Sequence, residues 1–406
     1  MRIRTTLFLI VLLLFAGCSA VETETANLAD AEPTPCEEYG YCPDELVDAG
    51  TGPWMQVARE DILDTCGLDP ALLDAAERPE GATFAVVRFG RLCYVSGDNG
   101  ADGPAVSHIF SVTKTLGAVM TGMVMYETRD MSAPLTEWDR VDQWLDLDTL
   151  PETFDIHPDA TIAHVLSMEA YNDSLAYGDK SHSYDGSGER EINALIRVID
   201  NVVAQDPERL GTDALAVRDR LFAKLGLEHS EWPVETLGFS WNASLLDMAR
   251  LGLVMLNGGM YNGERIMDAA YAYNLTHAAF EDGSTNYGYL TWLNNPECSP
   301  RAVRTSYPHG LSEATDCVDG NCEQDYDVGV WNAIGAGGQF VQGHRGLDLV
   351  IVGRDWDSNS GGPLWEAVRP ALVAADPMFA GDDAAFCAAY TRGSYAPDLR
   401  KWEGNQ

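Results

Sequence analysis

The 406-residue sequence is poor in positive charge, and lysine is especially rare. It has four lysines, at positions 114, 180, 224 and 401, and its 26 Lys and Arg are outnumbered by 63 Asp and Glu, giving a formal net charge of −37. A field of that sign repels nucleic acid and anionic lipid surfaces, so nucleic acid is not expected as a partner. We interpret the acidity itself as a solvated surface.

Several motifs of common enzyme classes are missing. There is no C-x-x-C pair and no H-E-x-x-H, so neither a structural nor a catalytic zinc site is supported. The stretch "DCVDGNCEQD" at 316–325 lacks the spacing of an EF-hand calcium loop. G-x-S-x-G is also missing, which argues against an α/β-hydrolase fold. We therefore expect no metal and no cofactor.

Long apolar runs are missing beyond the N-terminus. Arg2 and Arg4 precede an apolar run over Leu7–Ala16, which is too short to span a bilayer and is typical of a signal peptide. It ends in "LFAGCS", which resembles the lipobox of bacterial lipoproteins, with Cys18 as the residue to be lipidated. An ordinary signal-peptidase site is the alternative. The resemblance implies an exported protein held in the bacterial cell envelope by lipid on Cys18, and Ser19 favours the outer membrane.

Nine cysteines fit an exported protein, since disulfides form in oxidising compartments. Apart from Cys18 there are eight, which allow 105 pairings, so the sequence does not settle the connectivity. We predict one pair, Cys66–Cys93. Cys66 ends a predicted helical stretch, and Cys93 lies on the second strand of a predicted hairpin, about where such a helix would pack.

The order of predicted elements indicates an α+β fold. A helix is predicted over Asp61–Ala76, a hairpin around Phe89-Gly90 and a buried helix over Leu116–Tyr126. Helical patterns dominate about 130–280, and strand patterns return at "YGYLTWL", "GGQFV" and "LDLVIVG". We expect a mostly antiparallel sheet built from both ends of the chain, flanked by helices, with an all-α subdomain inserted. The predicted divisions are a signal peptide (1–17), a lipidated acidic tether (18–53) and one domain (54–400).

The clearest candidate for chemistry is Ser111 with Lys114. Residues three apart on a helix share a face, so the two side chains would meet. In apolar surroundings a lysine loses proton affinity and can act as a base, which a serine nucleophile needs. The spacing alone is weak evidence. The alternative is that Ser111 caps the helix and Lys114 extends to solvent.

The context of this pair resembles the serine β-lactamase-like family, which includes class C β-lactamases, penicillin-binding proteins and related esterases. "FSVTKT" is similar to the family's nucleophile motif. Further segments, over about residues 75–375, follow in the family's order: "HVLSMEAYN", "HSYDGSGEREINALIRVI", "LFAKLGLEHSEW", "WNASLLDMARLGLVMLNGGMYNGERI", "YGYLTWL" and "GAGGQFVQGHRGLDLVIV". Each segment alone is a weak match, whereas the ordered set is specific.

The resemblance assigns roles residue by residue. Ser111 would be the nucleophile, Lys114 its general base and Tyr184 the residue that helps protonate the leaving group. The backbone N–H groups of Ser111 and Gln339 would form the oxyanion hole. For Tyr184 the alternative is a buried aromatic residue with a satisfied hydroxyl. Trp241 and Asn242 either line the cleft or cap the following helix.

Two positions depart from the family pattern. Gly186 stands where the family has an asparagine that contacts a substrate amide. Ala336, Gly337 and Gly338 stand where Lys-Thr-Gly or His-x-Gly is usual. These small residues would line the substrate site or simply pack at a strand edge. The cation that holds the carboxylate of a β-lactam is missing at Ala336, and His309, Arg345 and Arg354 are the nearest cationic residues in sequence.

The sequence therefore predicts a serine hydrolase that cleaves small ester, amide or peptide substrates through an acyl-serine intermediate, in the manner of the family's esterases. Two alternatives stay open: a β-lactamase or D-Ala-D-Ala carboxypeptidase, and a catalytically inactive binding lipoprotein that uses the same cleft. His309 and His344 fall in predicted loops, where surface histidines are expected. The segment 294–331 holds three cysteines and would be either a lid or a surface insertion.

Overall fold

The structure is a computed structural model that describes residues 49–171, 184–277, 287–293, 330–357 and 362–375, all within one compact unit over 35–406. The predicted signal peptide, Cys18, most of the predicted tether and nearly all of the segment 294–331 lie outside the described residues. So does His309. Across the ranges that are described, no helix combines the length and apolarity needed to cross a bilayer.

The centre of the molecule is an antiparallel sheet of six strands, in the order β2-β1-β11-β10-β9-β8. Its strands are β1 (Thr83–Arg88), β2 (Arg91–Val95), β8 (Trp292–Leu293), β9 (Val330–Gly335), β10 (Gln339–His344) and β11 (Leu349–Arg354). β1 pairs with β11, from Thr83 opposite Arg354 to Arg88 opposite Leu349. The sheet is thus built from both ends of the described chain, as predicted.

Helices and short strand pairs fill the rest of the chain. The helices are α1 (Ile62–Cys66), α2 (Pro70–Asp74), α3 (Val112–Thr128), α4 (Ile162–Leu166), α5 (Ala194–Val203), α6 (Pro207–Leu210), α7 (Ala214–Leu225), α8 (Leu245–Leu256), α9 (Ala269–Thr276) and α10 (Gly362–Ala375). The short strands are β3 (Ser107–His108), β4 (Ser230–Glu231), β5 (Asn242–Ala243), β6 (Met260–Tyr261) and β7 (Glu264–Arg265). Single 3₁₀ turns lie at 59–61, 98–100, 141–143, 147–149 and 345–347.

Helices cover both faces of the sheet. On one face α8 packs so closely that a Cβ on Gly252 would lie 2.4 Å from a methyl group of Val350. On the other face α10 packs against β10 and β11, and the Trp365 ring stacks on His344 with centroids 4.3 Å apart. Because both faces are covered, every residue of β9, β10 and β11 is buried. This explains why β11 is apolar in an almost continuous run rather than alternating.

Several sequence predictions are confirmed in detail. The first hairpin turns at Phe89-Gly90, both with positive φ, 53° and 68°. The helix predicted over Leu116–Tyr126 is the core of α3, which is buried on all sides. The second hairpin joins β10 to β11, as predicted. The disulfide Cys66–Cys93 is present and ties the end of α1 to β2.

Other predictions need correction. The stretch Asp61–Ala76 is two short helices, because Gly67 adopts a left-handed conformation (φ 60°) that ends α1 and Pro70 begins α2. "YGYLTWL" forms only the two-residue strand β8 and an isolated bridge between Tyr287 and Trp292, since Leu290 has φ 48°. The region 130–280 holds α4–α9, but it also contributes β4–β7 and long irregular connections.

Candidate active site

Ser111 stands between the short strand β3 and the long buried helix α3. β3 pairs with β5, and the backbone N–H of Ile109 continues that pairing by donating to Trp241 (3.1 Å). The chain then turns sharply at Phe110, which has φ 49°, and Ser111 occupies the position before the first residue of α3. Its hydroxyl does not cap the helix. The alternative role of Ser111 as a helix cap is therefore wrong.

Lys114 lies one turn along α3, with its side chain buried in the protein. Its Nζ donates to three oxygen atoms: Ser111 Oγ at 3.1 Å, the Gly186 carbonyl at 2.9 Å and the Gly238 carbonyl at 2.6 Å. Only 1% of the residue is exposed, so Lys114 does not extend to solvent. The pairing of Ser111 with Lys114 that the spacing predicts is present.

Burial strongly perturbs the charge of this lysine. Desolvation lowers the pKa of Lys114 from 10.5 to about 7, although the carboxylate of Asp185 acts in the opposite direction and raises it. Desolvation dominates because the ammonium ion loses its hydration and the groups that it contacts are uncharged oxygens. At neutral pH a substantial fraction of Lys114 is thus unprotonated and able to accept a proton.

Tyr184 lies on the other side of the lysine from α3. The Lys114 Nζ is 4.8 Å from the centre of its ring, and the same ring stacks on Trp292 with centroids 5.5 Å apart. Tyr287 meets Trp292 edge to face at 4.8 Å. Trp292 of the edge strand β8 thus packs on the Tyr184 ring, and both Ser111 Oγ and the Tyr184 ring lie next to Lys114 Nζ.

The loop that follows Tyr184 is organised by a buried carboxylate. Asp185 accepts hydrogen bonds from the backbone N–H groups of Gly188 (2.9 Å), Glu191 (3.0 Å) and Ile192 (3.3 Å). These bonds close the loop and hold the carbonyl of Gly186 toward Lys114. Gly186 thus contributes its backbone oxygen as an acceptor for Lys114. The asparagine that is usual at this position in the family pattern did not suggest that role.

The second carbonyl comes from a segment that sequence reasoning missed. Gly238 packs so closely on the loop after Tyr184 that a Cβ there would lie 2.1 Å from the Ser187 carbonyl oxygen. Thr236 anchors the segment, since its hydroxyl donates to Ser187 O (2.8 Å) and accepts from Gly238 N (2.8 Å). A glycine is required here by the close approach of two backbones, and a glycine in a loop carries little signal of that kind in sequence.

The turn between β9 and β10 lies against the chain just before Ser111. Gly335, the last residue of β9, faces Ile109, and a Cβ on it would lie 2.2 Å from the Ile109 carbonyl oxygen. The turn itself is Ala336–Gly337–Gly338, of which the first two are exposed. These small residues therefore border the segment that leads into Ser111.

Gln339 begins β10, opposite Gly335. Its side-chain amide donates to Asp355 (3.1 Å) and to the carbonyl of Gly337 (3.3 Å). The carbonyl of Gly338 accepts from Trp356 N (3.2 Å). The turn is thus tied to the end of β11, which gives the backbone at Gln339 a fixed position.

Trp241 is part of the scaffold, and Asn242 lies in the short sheet formed by β3, β5 and β4. Trp241 is fully buried, and its indole N–H donates to the hydroxyl of Ser230 (3.0 Å). Asn242 lies in β5, opposite His108 and Glu231. Neither residue caps the following helix, since Ser244 is the N-cap of α8.

The other basic residues considered as candidates, His344 and Arg354, make their contacts within the scaffold. His344 is not a surface loop residue as predicted: it ends β10 and is fully buried. Its Nε2–H donates to Gln342 Oε1 (2.6 Å), and burial lowers the pKa of its imidazole to about 3. Arg354 is 4% exposed and donates to the Ala105 carbonyl and Ser107 Oγ. Across the described ranges, no cluster of three or more His, Cys, Asp or Glu is placed to hold a metal ion.

No protein-family model and no curated protein matches the chain. Solved structures similar to it include a presumed β-lactamase from Bacteroides dorei DSM 17855, with 14% identity, 74% of this chain and 96% of that chain covered, and a TM-score of 0.49. A presumed 6-aminohexanoate-dimer hydrolase from Bacillus anthracis has 16% identity, coverage of 82% and 87%, and a TM-score of 0.47. A D-stereospecific amidohydrolase from Streptomyces sp. has 15% identity, coverage of 77% and 98%, and a TM-score of 0.44. These likenesses are too distant to carry an argument about activity.

Proposed function

We propose that the protein is a serine hydrolase in which Ser111 is the nucleophile and Lys114 the general base. The observation that carries the proposal is the set of three oxygen atoms around Lys114 Nζ. A carbonyl oxygen can only accept a hydrogen bond. When Lys114 is neutral, its two N–H groups therefore donate to Gly186 and Gly238, and its lone pair is left for the Ser111 hydroxyl.

The proposed reaction begins with proton transfer from Ser111 Oγ to Lys114 Nζ as Oγ bonds to the scissile carbonyl carbon. The resulting ammonium has three N–H groups for its three acceptors, so the protonated state is also accommodated. The oxyanion accepts from the backbone N–H groups of Ser111 and Gln339, each such donor contributing about 3 kcal/mol.

The bond to the leaving oxygen or nitrogen then breaks, and that atom receives the proton that Lys114 took from Ser111, with the help of Tyr184, which lies next to Lys114. The product of this stage is an acyl-serine, with the acyl group on Ser111 Oγ and Lys114 neutral again. Water attacks the acyl carbon and gives up a proton to Lys114. The bond from the acyl carbon to Ser111 Oγ then breaks, Lys114 returns the proton to Oγ, and the acid is released. The Ser111 hydroxyl is restored, so no external oxidant, metal or cofactor enters the balance.

Neutral esters and amides are the proposed substrates. Among the described residues, the charged group that shifts the pKa of Lys114 is the carboxylate of Asp185, which raises it. The position that matches the family's cation is Ala336, and the Arg354 guanidinium donates to the carbonyls of Asp102 and Ala105 and to Ser107 Oγ. Recognition of a substrate carboxylate thus has little support among the described side chains.

A fluorophosphonate probe, which phosphonylates activated serines, tests the proposal. We expect stoichiometric labelling of the wild type at Ser111, none in Ser111→Ala, and labelling slowed by several orders of magnitude in Lys114→Ala. Ser132→Ala, an exposed serine beyond the far end of α3, is the matched control and should label normally. Full labelling of Ser111→Ala would assign the nucleophile elsewhere, and an unlabelled wild type would favour an inactive binding protein.

We also propose that the chain is exported and anchored to the cell envelope by lipid on Cys18, on the support of the sequence "LFAGCS". Mass spectrometry of the membrane fraction should find the N-terminal peptide beginning with a lipid-modified Cys18. Cys18→Ser should leave the protein unlipidated. A mature N-terminus at another residue would point to an ordinary signal-peptidase site.

A further inference from the structure

Two exposed aromatic side chains stand beside the groups that contact Lys114. Of the phenylalanines in the described ranges, Phe89, Phe110 and Phe239 are large exposed hydrophobic residues, at 40%, 39% and 44% exposure. Phe110 directly precedes Ser111, and Phe239 directly follows Gly238. Exposing a phenylalanine ring to water is unfavourable, so two of them at one site point to an apolar binding partner.

The backbone brings together the two segments that carry these residues. β3 and β5 pair with Ser107 opposite Ala243, and Ile109 N continues the ladder to Trp241 O. Along these two segments the next residues are Phe110 on one and Ser240 on the other, followed by Ser111 and Phe239. Lys114 Nζ contacts both Ser111 Oγ and the Gly238 carbonyl, which holds the ends of the two segments close to each other.

The backbone at this place is also strained. Phe110 has φ 49° and Ser240 has φ 102°, conformations that residues other than glycine rarely adopt. Such conformations persist where the surroundings impose them, and they concentrate at functional sites. The Phe110 ring is held edge-on against His108 with centroids 4.3 Å apart, and so it stays at the surface next to Ser111.

We propose that Phe110 and Phe239 form an apolar subsite that binds an alkyl or aryl group of the substrate, on one side of the scissile carbonyl. This rests on the proposed function of Ser111. The subsite selects esters and amides with an apolar substituent over those with small or anionic ones. Phe110 and Phe239 act here as specificity-determining residues, since they contact the substrate and not the transferred proton.

The test compares p-nitrophenyl esters from acetate to octanoate. In the wild type kcat/KM should rise about two- to fourfold per added methylene while the chain contacts the rings. Phe239→Ala and Phe110→Ala should each reduce the ratio of octanoate to acetate kcat/KM by about fivefold or more, and Phe239→Leu should restore most of it. A parallel series of alkyl acetates, varied in the alcohol, reveals whether the bound group is the acyl or the leaving part.

Phe89→Ala is the matched control. Phe89 is equally exposed and also has positive φ (53°), but it lies in the turn between β1 and β2. Its removal should leave both series unchanged. A wild type that hydrolyses esters with no dependence on chain length in either series, or variants that keep the wild-type ratio, would overturn the subsite alone. A wild type that neither hydrolyses esters nor labels at Ser111 would overturn the proposed function and the subsite with it.

Discussion

Lys114 is a lysine whose hydrogen-bond acceptors are all uncharged. A hydroxyl and two backbone carbonyls satisfy its donors without supplying the negative charge that would keep the ammonium form favoured inside the protein. Its pKa of about 7 is then a direct result of where α3 places it. A base poised near neutrality transfers protons efficiently at physiological pH.

The pH dependence of hydrolysis follows from this value. Below pH 7 Lys114 holds a proton and cannot accept another, so kcat/KM should rise with pH through an apparent pKa near 7 and then level off. The Asp185 carboxylate raises the pKa of Lys114. Asp185→Asn removes that charge, so the rise should move to lower pH. The measurement is kcat/KM for p-nitrophenyl butyrate between pH 5 and 9.

A merely structural effect of Asp185→Asn would lower activity without moving the pKa. Loss of one acceptor for the N–H groups of Gly188, Glu191 and Ile192 would cost about 1–3 kcal/mol of stability, which is a separate readout. Asp130 is an exposed carboxylate beyond the end of α3, and Asp130→Asn should change neither the apparent pKa nor the stability. An unchanged or higher apparent pKa in Asp185→Asn would show that the carboxylate does not act on Lys114.

At the scale of single residues, the sequence identifies the side chains that meet at the candidate site but not the backbone carbonyls that face Lys114. Ser111 and Lys114 are three apart, so their meeting follows from helix geometry alone. The carbonyls of Gly186 and Gly238 lie 72 and 124 residues from Lys114 along the chain. Backbone carbonyls are the same in every residue, so only the tertiary fold reveals which of them face the lysine.

At the scale of structural elements, the packing of the segment around Gly238 fixes the position of the carbonyl that contacts Lys114. Gly238→Ala would place a Cβ 2.1 Å from the Ser187 carbonyl oxygen, so the segment must move and carry the Gly238 carbonyl away from Lys114. We expect kcat/KM to fall about 10–100-fold, because displacements of about 1 Å at a site have effects of that size.

Gly186→Ala provides the comparison for that variant. Gly186 also offers its carbonyl to Lys114, but nothing lies within 4 Å of a Cβ added there. Its loss of kcat/KM should be much smaller than that of Gly238→Ala, as measured by steady-state kinetics on both proteins. Equal losses would mean that backbone displacement is not the cause.

The disulfide is an element of stability at the edge of the sheet. Cys66 and Cys93 are fully buried and 27 residues apart, and they join α1 to β2. Closing a loop of that length stabilises the fold by about 3–4 kcal/mol in the chain-entropy model. The double variant Cys66→Ala, Cys93→Ala should lose about that much unfolding free energy in urea. Non-reducing peptide mapping of the wild type should find neither thiol free.

Elements with a strong local pattern were the predictable ones. The hairpin at Phe89-Gly90, the buried α3 and the strands β10 and β11 follow from periodicity and turn residues. The strand predicted at "YGYLTWL" does not form in full. Leu290 N donates a hydrogen bond to Leu166 O, and Leu290 O accepts one from Thr115 Oγ1. These contacts with distant segments hold Leu290 out of a strand conformation. Tertiary contacts of this kind leave no periodic pattern in the chain.

For the molecule as a whole, charge should govern which substrates are accepted. With a formal net charge of −37, the protein repels anions before they reach the site. A substrate carboxylate that is desolvated there without a partner would cost about 1–3 kcal/mol, or roughly ten- to a hundredfold in kcat/KM. We therefore expect p-nitrophenyl butyrate to be a better substrate than nitrocefin, which is anionic.

The comparison of kcat/KM is made on purified protein at two salt concentrations. Salt screens long-range repulsion, so nitrocefin should gain relative to the ester as ionic strength rises. A clear preference for nitrocefin at low salt would show that a cation supplies the charge missing at Ala336, and would favour the β-lactamase alternative.

The pairing of β1 with β11 also dictates the order in which the molecule can form. Thr83 meets Arg354 and Arg88 meets Leu349, so this strand pair joins residues more than two hundred and fifty positions apart. The chain loses the entropy of closing such a long loop before the contact can stabilise it. Folding that is dominated by distant contacts is therefore slow. During synthesis of the chain, the hairpin β1–β2 has no partner strand until β11 has been made. During that time β1 has an unpaired edge, which is able to pair with strands of other chains.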